Sequence, residues 1–193
     1  PGQAHMIIEG NTFGRTPGHN DGLDIDGGHS ANGYPVMQIL NNHFRGGGDD
    51  AMDLEGDALI QGNLIENYHK DSYNTDTGES NAISSGDAHN VGHLYVVVDN
   101  VFHNVDHAAQ VKDSGTMTFA NNTVSDCAGA ALFFYSAGAT DYGHAVDVTN
   151  SIFWNTPTIF GDTTAGGTIV TANYSRVNAA DVARGTGNTT DSP

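Results

Sequence analysis

Positive charge is what this chain has least of. Six Lys and Arg stand against 23 Asp and Glu, for a formal net charge of −17 over 193 residues. Nucleic acids and anionic membrane surfaces need a basic patch, so both are excluded as expected partners. Lysine occurs only at Lys70 and Lys112, and each therefore stands out. Cysteine occurs once, at Cys127, which excludes an internal disulfide framework. Within its Ala/Gly run, Cys127 reads as a small core residue rather than a nucleophile. No stretch is long and apolar enough to span a membrane. No leader is visible either. The chain opens almost at once on a strand, Met6-Ile7-Ile8, and reads as a mature or excised piece of a larger chain.

What is abundant is turn-forming residues. The 25 glycines, with many Asn, Asp, Ser and Thr, predict many turns and few helices. The remaining apolar residues recur in one pattern: apolar-x-apolar, then Asn-x-apolar. It appears at Met6 to Phe13 with Asn11, Met37 to Phe44 with Asn42, and Leu59 to Ile65 with Asn63. It returns at Tyr95 to Phe102 with Asn100 and Met117 to Val124 with Asn122. Weaker copies carry Asn150 and Asn173. The strong Asn positions are 31, 21, 37 and 22 residues apart. The shorter spacings fit one turn of a solenoid, the longer ones a turn plus an insertion. The Asn is expected at a sharp bend, where it tolerates left-handed backbone and bonds the next Asn along the stack.

A second strand lies between these copies, at Gly22 to Gly27, Ala51 to Gly56, Ala82 to Gly86, Ala108 to Asp113 and Ala131 to Ser136. Two or three short strands per turn with a recurring Asn resemble the right-handed parallel β-helix of the pectin-lyase-like superfamily. The resemblance runs from about Ala4 to Ser175. It implies an all-β solenoid of six to seven turns, with a coil over 1–176 and a loose tail or linker over 177–193. A β-sandwich is the competing fold.

Stacking the second strands forms columns, with turns about 4.8 Å apart. Leu23, Met52, Ile83, Ala109 and Leu132 point inward. Asp24, Asp53, Ser84, Gln110 and Phe133 point outward. A further outward column runs Asp26, Glu55, Lys112, Tyr135. Before the strands lies a turn column of Asp21, Asp50, Asn81, His107 and Ala130, flanked by Asp49. One wall therefore changes from acidic through polar to aromatic. Two carboxylates on adjacent turns repel by about 1 kcal/mol in water and several times that in a drier cleft. A bridging cation offsets this repulsion, and Ca²⁺ takes six to eight oxygens. A solvated acidic surface that serves only solubility is the competing expectation.

Three functions fit that wall. Asn20-Asp21-Gly22-Leu23-Asp24 and Gly48-Asp49-Asp50-Ala51-Met52 resemble two motifs of polygalacturonase-type glycoside hydrolases. That resemblance implies Asp21, Asp49 and Asp50 as the acid and base of an inverting mechanism. Ser85-Gly86-Asp87-Ala88-His89 stands where those enzymes carry Gly-His-Gly, and Gln110-Val111-Lys112 where they carry Arg-Ile-Lys. The second function is Ca²⁺-assisted elimination on an acidic polysaccharide, with Lys112 or His107 as base and Arg45 holding substrate. The third, and the one expected first, is non-enzymatic. It is an extracellular or cell-surface module that binds Ca²⁺ and a polysaccharide or extracellular protein, with Phe133 and Tyr135 as a stacking platform.

Ca²⁺ is assigned to Asp24, Asp26, Asp53 and Glu55 on the wall. It is also assigned to Asp71, Asp76 and Glu79 in the loop from Lys70 to Ser80, where Asn74 is a further donor. That loop lacks the spacing of an EF-hand. His103 and His107 are four apart, but they bridge a strand end and a turn and are not expected to hold Zn²⁺.

Overall fold

The computed structural model describes residues 5–29, 35–76, 78–86, 92–112, 114–135, 145–161 and 168–193. Ala4, Asp113, Ser136 and the stretch Asp87-Ala88-His89, all named above, lie outside the described residues. Nineteen strands form three sheets of seven, six and six. Strand pairing within all three is parallel. The first sheet runs from Met6–Glu9 to Ile169–Asn173 and the second from Thr12–Phe13 to Ile152–Trp154. The third runs from Leu23–Asp26 to Thr158–Gly161. The chain visits the three in turn and then climbs one rung. This is a parallel β-helix, and the sandwich alternative does not describe it.

The period-two patterns explain the sheets. Buried and half-buried residues alternate along Met37–Leu40 and Met52–Glu55. The inward set fills one continuous core that includes Ile39, Ile60, Val97, Phe119 and Val148. Phe102, Phe119 and Phe153 stack along the axis at 5.7 and 5.9 Å between ring centroids. Each such buried side chain stabilises the fold by about 1.5–3 kcal/mol. The third sheet pairs Leu23 with Met52, Met52 with Ile83, and Ala109 with Leu132. Its outward column likewise pairs Asp24 with Asp53, Asp53 with Ser84, Ser84 with Gln110, and Gln110 with Phe133.

The Asn residues form a buried ladder. Asn42 Oδ1 accepts the backbone N–H of Asn11 at 2.9 Å and its Nδ2–H at 3.2 Å. Asn63 serves Asn42 in the same way, at 2.8 and 3.1 Å, and Asn100 serves Asn63 at 2.9 and 2.9 Å. Asn122 continues to Asn100 at 2.9 and 3.1 Å. The second amide hydrogen of each goes to a carbonyl of the neighbouring turn, as from Asn63 to Ile39 and from Asn122 to Val97. The ladder then passes to Ser151, Ser175 and Asn188.

Two expectations are corrected here. The left-handed bend falls one residue before the ladder, at Gly10, Asn41, Gly62, Asp99, Asn121, Asn150 and Tyr174, all with φ between 49° and 69°. A ladder residue whose own N–H and side chain both point into the stack cannot also make that bend. For the same reason Asn150 is a bend residue, bonded to Asn121 at 2.8 Å, and Ser151 takes the ladder place. Asn173 lies two residues before Ser175, which takes the next.

The stretch after 176 is docked rather than loose. Ala179–Arg184 forms a 3₁₀-helix. Arg184 lies 4.7 Å over the Phe160 ring and bonds Asp181 at 2.7 Å. Thr189 pairs with Arg176, and Val177 is buried.

The ladder makes a paired prediction for denaturant melts. Asn63→Ala strands several buried donors and acceptors and is expected to cost about 3 kcal/mol or more. Asn41→Gly, at a left-handed bend, is expected to change stability by less than about 1 kcal/mol.

Candidate functional site

The corner before the third sheet repeats the ladder in carboxylates. Asp21 Oδ1 accepts the N–H of Asp50 at 3.1 Å. Asp50 Oδ1 accepts the N–H of Asn81 at 2.7 Å and its Nδ2–H at 2.9 Å. The series stops there. Asn81 is 3% exposed, yet its Oδ1 has no hydrogen-bond partner among the described residues. Asp49 stands beside the column. One carboxylate oxygen from each of Asp21, Asp49 and Asp50 lies within 4.8 Å of the other two.

Close packing requires the glycine in both the Asp-Gly and the Gly-Asp-Asp stretches. A Cβ on Gly22 would sit 2.6 Å from the Ala51 carbonyl oxygen. A Cβ on Gly48 would sit 2.5 Å from the Asp71 carboxylate. Gly48 thus admits the insertion after Lys70, which closes over the acids. Asn74 Nδ2 and Ser80 Oγ both donate to the Gly48 carbonyl, at 2.8 and 3.0 Å.

Burial shapes the electrostatics. Desolvation, then the nearby Asp49 charge, push Asp21 up to about 6. Desolvation pushes Asp50 up to about 7, against the hydrogen bond from Asn81. Asp49 is raised by desolvation, with His19 and Asn74 opposing. Three carboxyls raised in one place favour a proton shared among them over three full charges.

These acids and Asp53 line a cavity of 380 Å³, with Asp76, Glu79, Asn81, Ser84 and Lys112 around it. Gly78, Glu79, Gln110 and Tyr135 also line an adjoining cavity of 590 Å³, which reaches Asp106, His107 and Phe133. His107 stacks on Phe133 at 5.1 Å between centroids and 20° between planes. Its Nδ1 donates to the Ala130 carbonyl at 2.6 Å. Tyr135 is exposed at the rim. The two cavities together run from the first two turns to the fifth.

The predicted residues divide accordingly. Asp21, Asp49, Asp50, Asp53, Asp76, Glu79, Lys112 and Tyr135 line the first cavity, and His107 and Phe133 the second. Asp24 and Asp26 are exposed on the outer face, and they line neither cavity, nor does Glu55. Asp71 is occupied elsewhere, by Arg15 at 3.1 Å and the amides of Gly18, Tyr73 and Asn74. These bonds, working against desolvation, hold its carboxyl below the usual range. Arg45 is exposed after the second-sheet strand His43–Phe44 and lines neither cavity. Lys112 Nζ donates to Asp53 Oδ1 at 3.3 Å, so its ammonium is engaged in an ion pair. Cys127 is buried, bonds the Asp106 carbonyl, and has its thiol pushed up to about 12 by burial, as a core residue would.

Sequence reasoning missed His19. Its Nε2 accepts the Thr75 N–H at 3.1 Å, which leaves Nδ1 to face Asp49 at 3.7 Å and Asp76 at 3.8 Å. No motif marks it. Only the 56-residue contact to the insertion places it at the cleft.

The raised carboxyls set a pH dependence. Asp21 and Asp50 ionise near 3.8 when unfolded and near 6 and 7 when folded. A raised folded value favours the folded state below the unfolded value, and that advantage disappears as pH rises through the folded one. Asp50→Asn removes the penalty and extends the amide ladder chemistry. Without divalent cation, its stability advantage over wild type is expected to grow between about pH 4 and 7. Denaturant midpoints across that range check it, and a constant difference would contradict it.

No curated protein and no solved structure matches the chain. Residues 2–181 match the family described as "Right handed beta helix region". Three parallel sheets, a continuous core and this match over most of the sequence agree. The chain belongs to the right-handed β-helix family.

Proposed function

We propose that this domain is an extracellular module that binds Ca²⁺ in the acidic cavity and a carbohydrate along the groove beside it. The observation that carries the reading is the convergence of Asp21, Asp49 and Asp50 in one cavity with a buried Asn81 Oδ1 that has no partner among the described residues. The donor set is oxygen only, which is the set Ca²⁺ selects. Each carboxylate that gives one oxygen to the ladder keeps its second for an ion. The ion would neutralise the charge that burial disfavours. Its remaining positions would accept sugar hydroxyls or a uronate carboxylate. Phe133, held flat on His107, and the exposed Tyr135 supply apolar faces on which a sugar ring packs.

A second reading is supported by the raised carboxyls of Asp21 and Asp50. A general acid needs a pKa raised toward the working pH, and burial moves Asp21 to about 6 and Asp50 to about 7. The cluster is tight, however. Inverting hydrolysis needs carboxyl groups about 6.5–9.5 Å apart to admit a water. The oxygens here approach within 4.8 Å. That spacing suits an ion better than a water between acid and base.

Calorimetric titration with Ca²⁺ separates the readings. Binding is expected at the cleft, and Asp49→Asn is expected to weaken it by about tenfold or more, a loss of about 1.4 kcal/mol. Phe133→Ala is expected to weaken oligosaccharide binding and leave Ca²⁺ affinity unchanged. On polygalacturonate and alginate no product is expected. New reducing ends lost in Asp50→Asn would establish hydrolysis instead, and unsaturated ends would establish elimination. Heat-silent Ca²⁺ titration with no melting shift would remove the ion.

A further inference from the structure

A different corner brings together a different set of ligands. His29, Asp57 and His93 each offer one ligand atom, and these atoms lie within 4.8 Å of one another. They come from three successive passages of the chain between the third sheet and the first. Gly27 and Gly56 allow the close approach, since a Cβ on Gly56 would lie 2.8 Å from both Gly27 Cα and Gly28 N. The Asp57 N–H donates to the Gly28 carbonyl at 3.2 Å, which ties the two passages together one residue before His29.

The geometry points to a transition-metal site formed by His29, Asp57 and His93, with Zn²⁺ as the ion its ligands select. It lies outside the acidic cavity and does not depend on the Ca²⁺ reading. Both imidazoles turn Nδ1 toward the same carboxylate oxygen, at 3.2 Å from His29 and 3.9 Å from His93. In a tetrahedral site with bonds of about 2.0–2.1 Å, ligand atoms stand about 3.3 Å apart. The first distance matches, and the second needs only a small closure. His93 Nδ1 at 3.9 Å is beyond hydrogen-bonding distance from Asp57 and lies where a bridging ion would draw it closer. The two rings lie 4.7 Å apart between centroids and are tilted by 36° to one another.

The chemistry of the donors separates this site from the cleft. Two imidazole nitrogens and one carboxylate suit Zn²⁺ and its transition-metal neighbours, whereas Ca²⁺ and Mg²⁺ take oxygen alone. Metal-ligating carboxylates are commonly fixed by an outer hydrogen bond. Here the backbone N–H of Leu94 donates to Asp57 Oδ1 at 2.8 Å. Asp57 and His93 are buried, while the His29 side chain is 48% exposed. That gradient gives an ion a route in past His29. Three ligands from the described residues leave a fourth tetrahedral position for a further ligand.

The test uses the whole chain freed of metal by chelation and titrated with Zn²⁺ in a calorimeter. One equivalent is expected to bind, and Co²⁺ is expected to give the visible absorption of tetrahedral coordination. His29→Ala, an exposed change, is expected to lower Zn²⁺ affinity by more than about 100-fold, because even outer-shell losses cost 10–100-fold. Asp57→Asn is expected to do the same if it folds. His103→Ala, on another sheet, is expected to leave the affinity unchanged. Ca²⁺ binding in His29→Ala is expected to match wild type. Absence of a stoichiometric Zn²⁺ isotherm would overturn the proposal. So would equal losses in His29→Ala and His103→Ala, the result for adventitious surface histidines.

Discussion

The coil depends on a buried amide that both accepts from one turn and donates to the next. Asparagine does this because its carbonyl oxygen has two lone pairs and its nitrogen two hydrogens. Asn42, Asn63 and Asn100 use all four and Asn122 three, to backbone and to one another, at 1–2% exposure. A shift by one residue in any turn would bury an unpaired amide, at about 1–3 kcal/mol for each lost partner. The ladder therefore sets register as well as stability. The core columns could slide by two residues and still meet apolar neighbours. The amides could not.

Fixing one corner so firmly permits a costly arrangement at another. The column Asp21, Asp50, Asn81 copies the ladder's backbone contacts but replaces amides with carboxylates. A carboxylate accepts as well as an amide does and donates nothing. Each substitution thus leaves charge in place of a donor. Asp21 accepts one such hydrogen bond and Asp50 two, while two neighbouring carboxylates in a partly dry cleft repel by several kcal/mol. A proton or a cation must make up the difference. The insertion after Lys70 adds to the burial of the acids, since its Asn74 and Ser80 are bonded to the Gly48 carbonyl beside them. It is itself secured by Asp71 to Arg15 and by the Lys70 ammonium to the Asp76 and Gly78 carbonyls. The loop's own charges are used to hold it shut, which is why Asp71 is not available to an ion.

The columns were legible because parallel stacking preserves sequence phase. Once Leu23 and Met52 are aligned, every pair down to Lys112 and Tyr135 follows, with Ser85 as the polar member of an otherwise apolar column. The placement of bends was not legible from the repeat. Asn suits both the ladder and the left-handed position, and residue type alone does not separate Asn41 from Asn42. The acidic patch was legible as a patch, but not which acids turn inward. Asp24 and Asp53 are register partners, yet only Asp53 lines the cavity, because the insertion covers the second turn and not the outer edge of the first. His19, His29 and His93 carried no signal at all. Their partners lie one or more turns away, and single residues in loops have no period.

One fold thus presents two chemically distinct corners. Between turns, every corner offers backbone amides, carbonyls and the side chains at the bend. The corner entering the third sheet is supplied with Asp and Asn, and it collects oxygens. The corner leaving that sheet is supplied with Gly, His and Asp, and the glycines let imidazoles reach the next turn. A hard cation that needs many oxygens finds too few at the second corner. An ion that prefers nitrogen finds none in the acid trio of the first. Because stacking fixes the distance between turns at about 4.8 Å, ligands on adjacent turns begin near the separation that a shared ion requires. What a corner binds is then decided by side-chain type rather than by backbone shape.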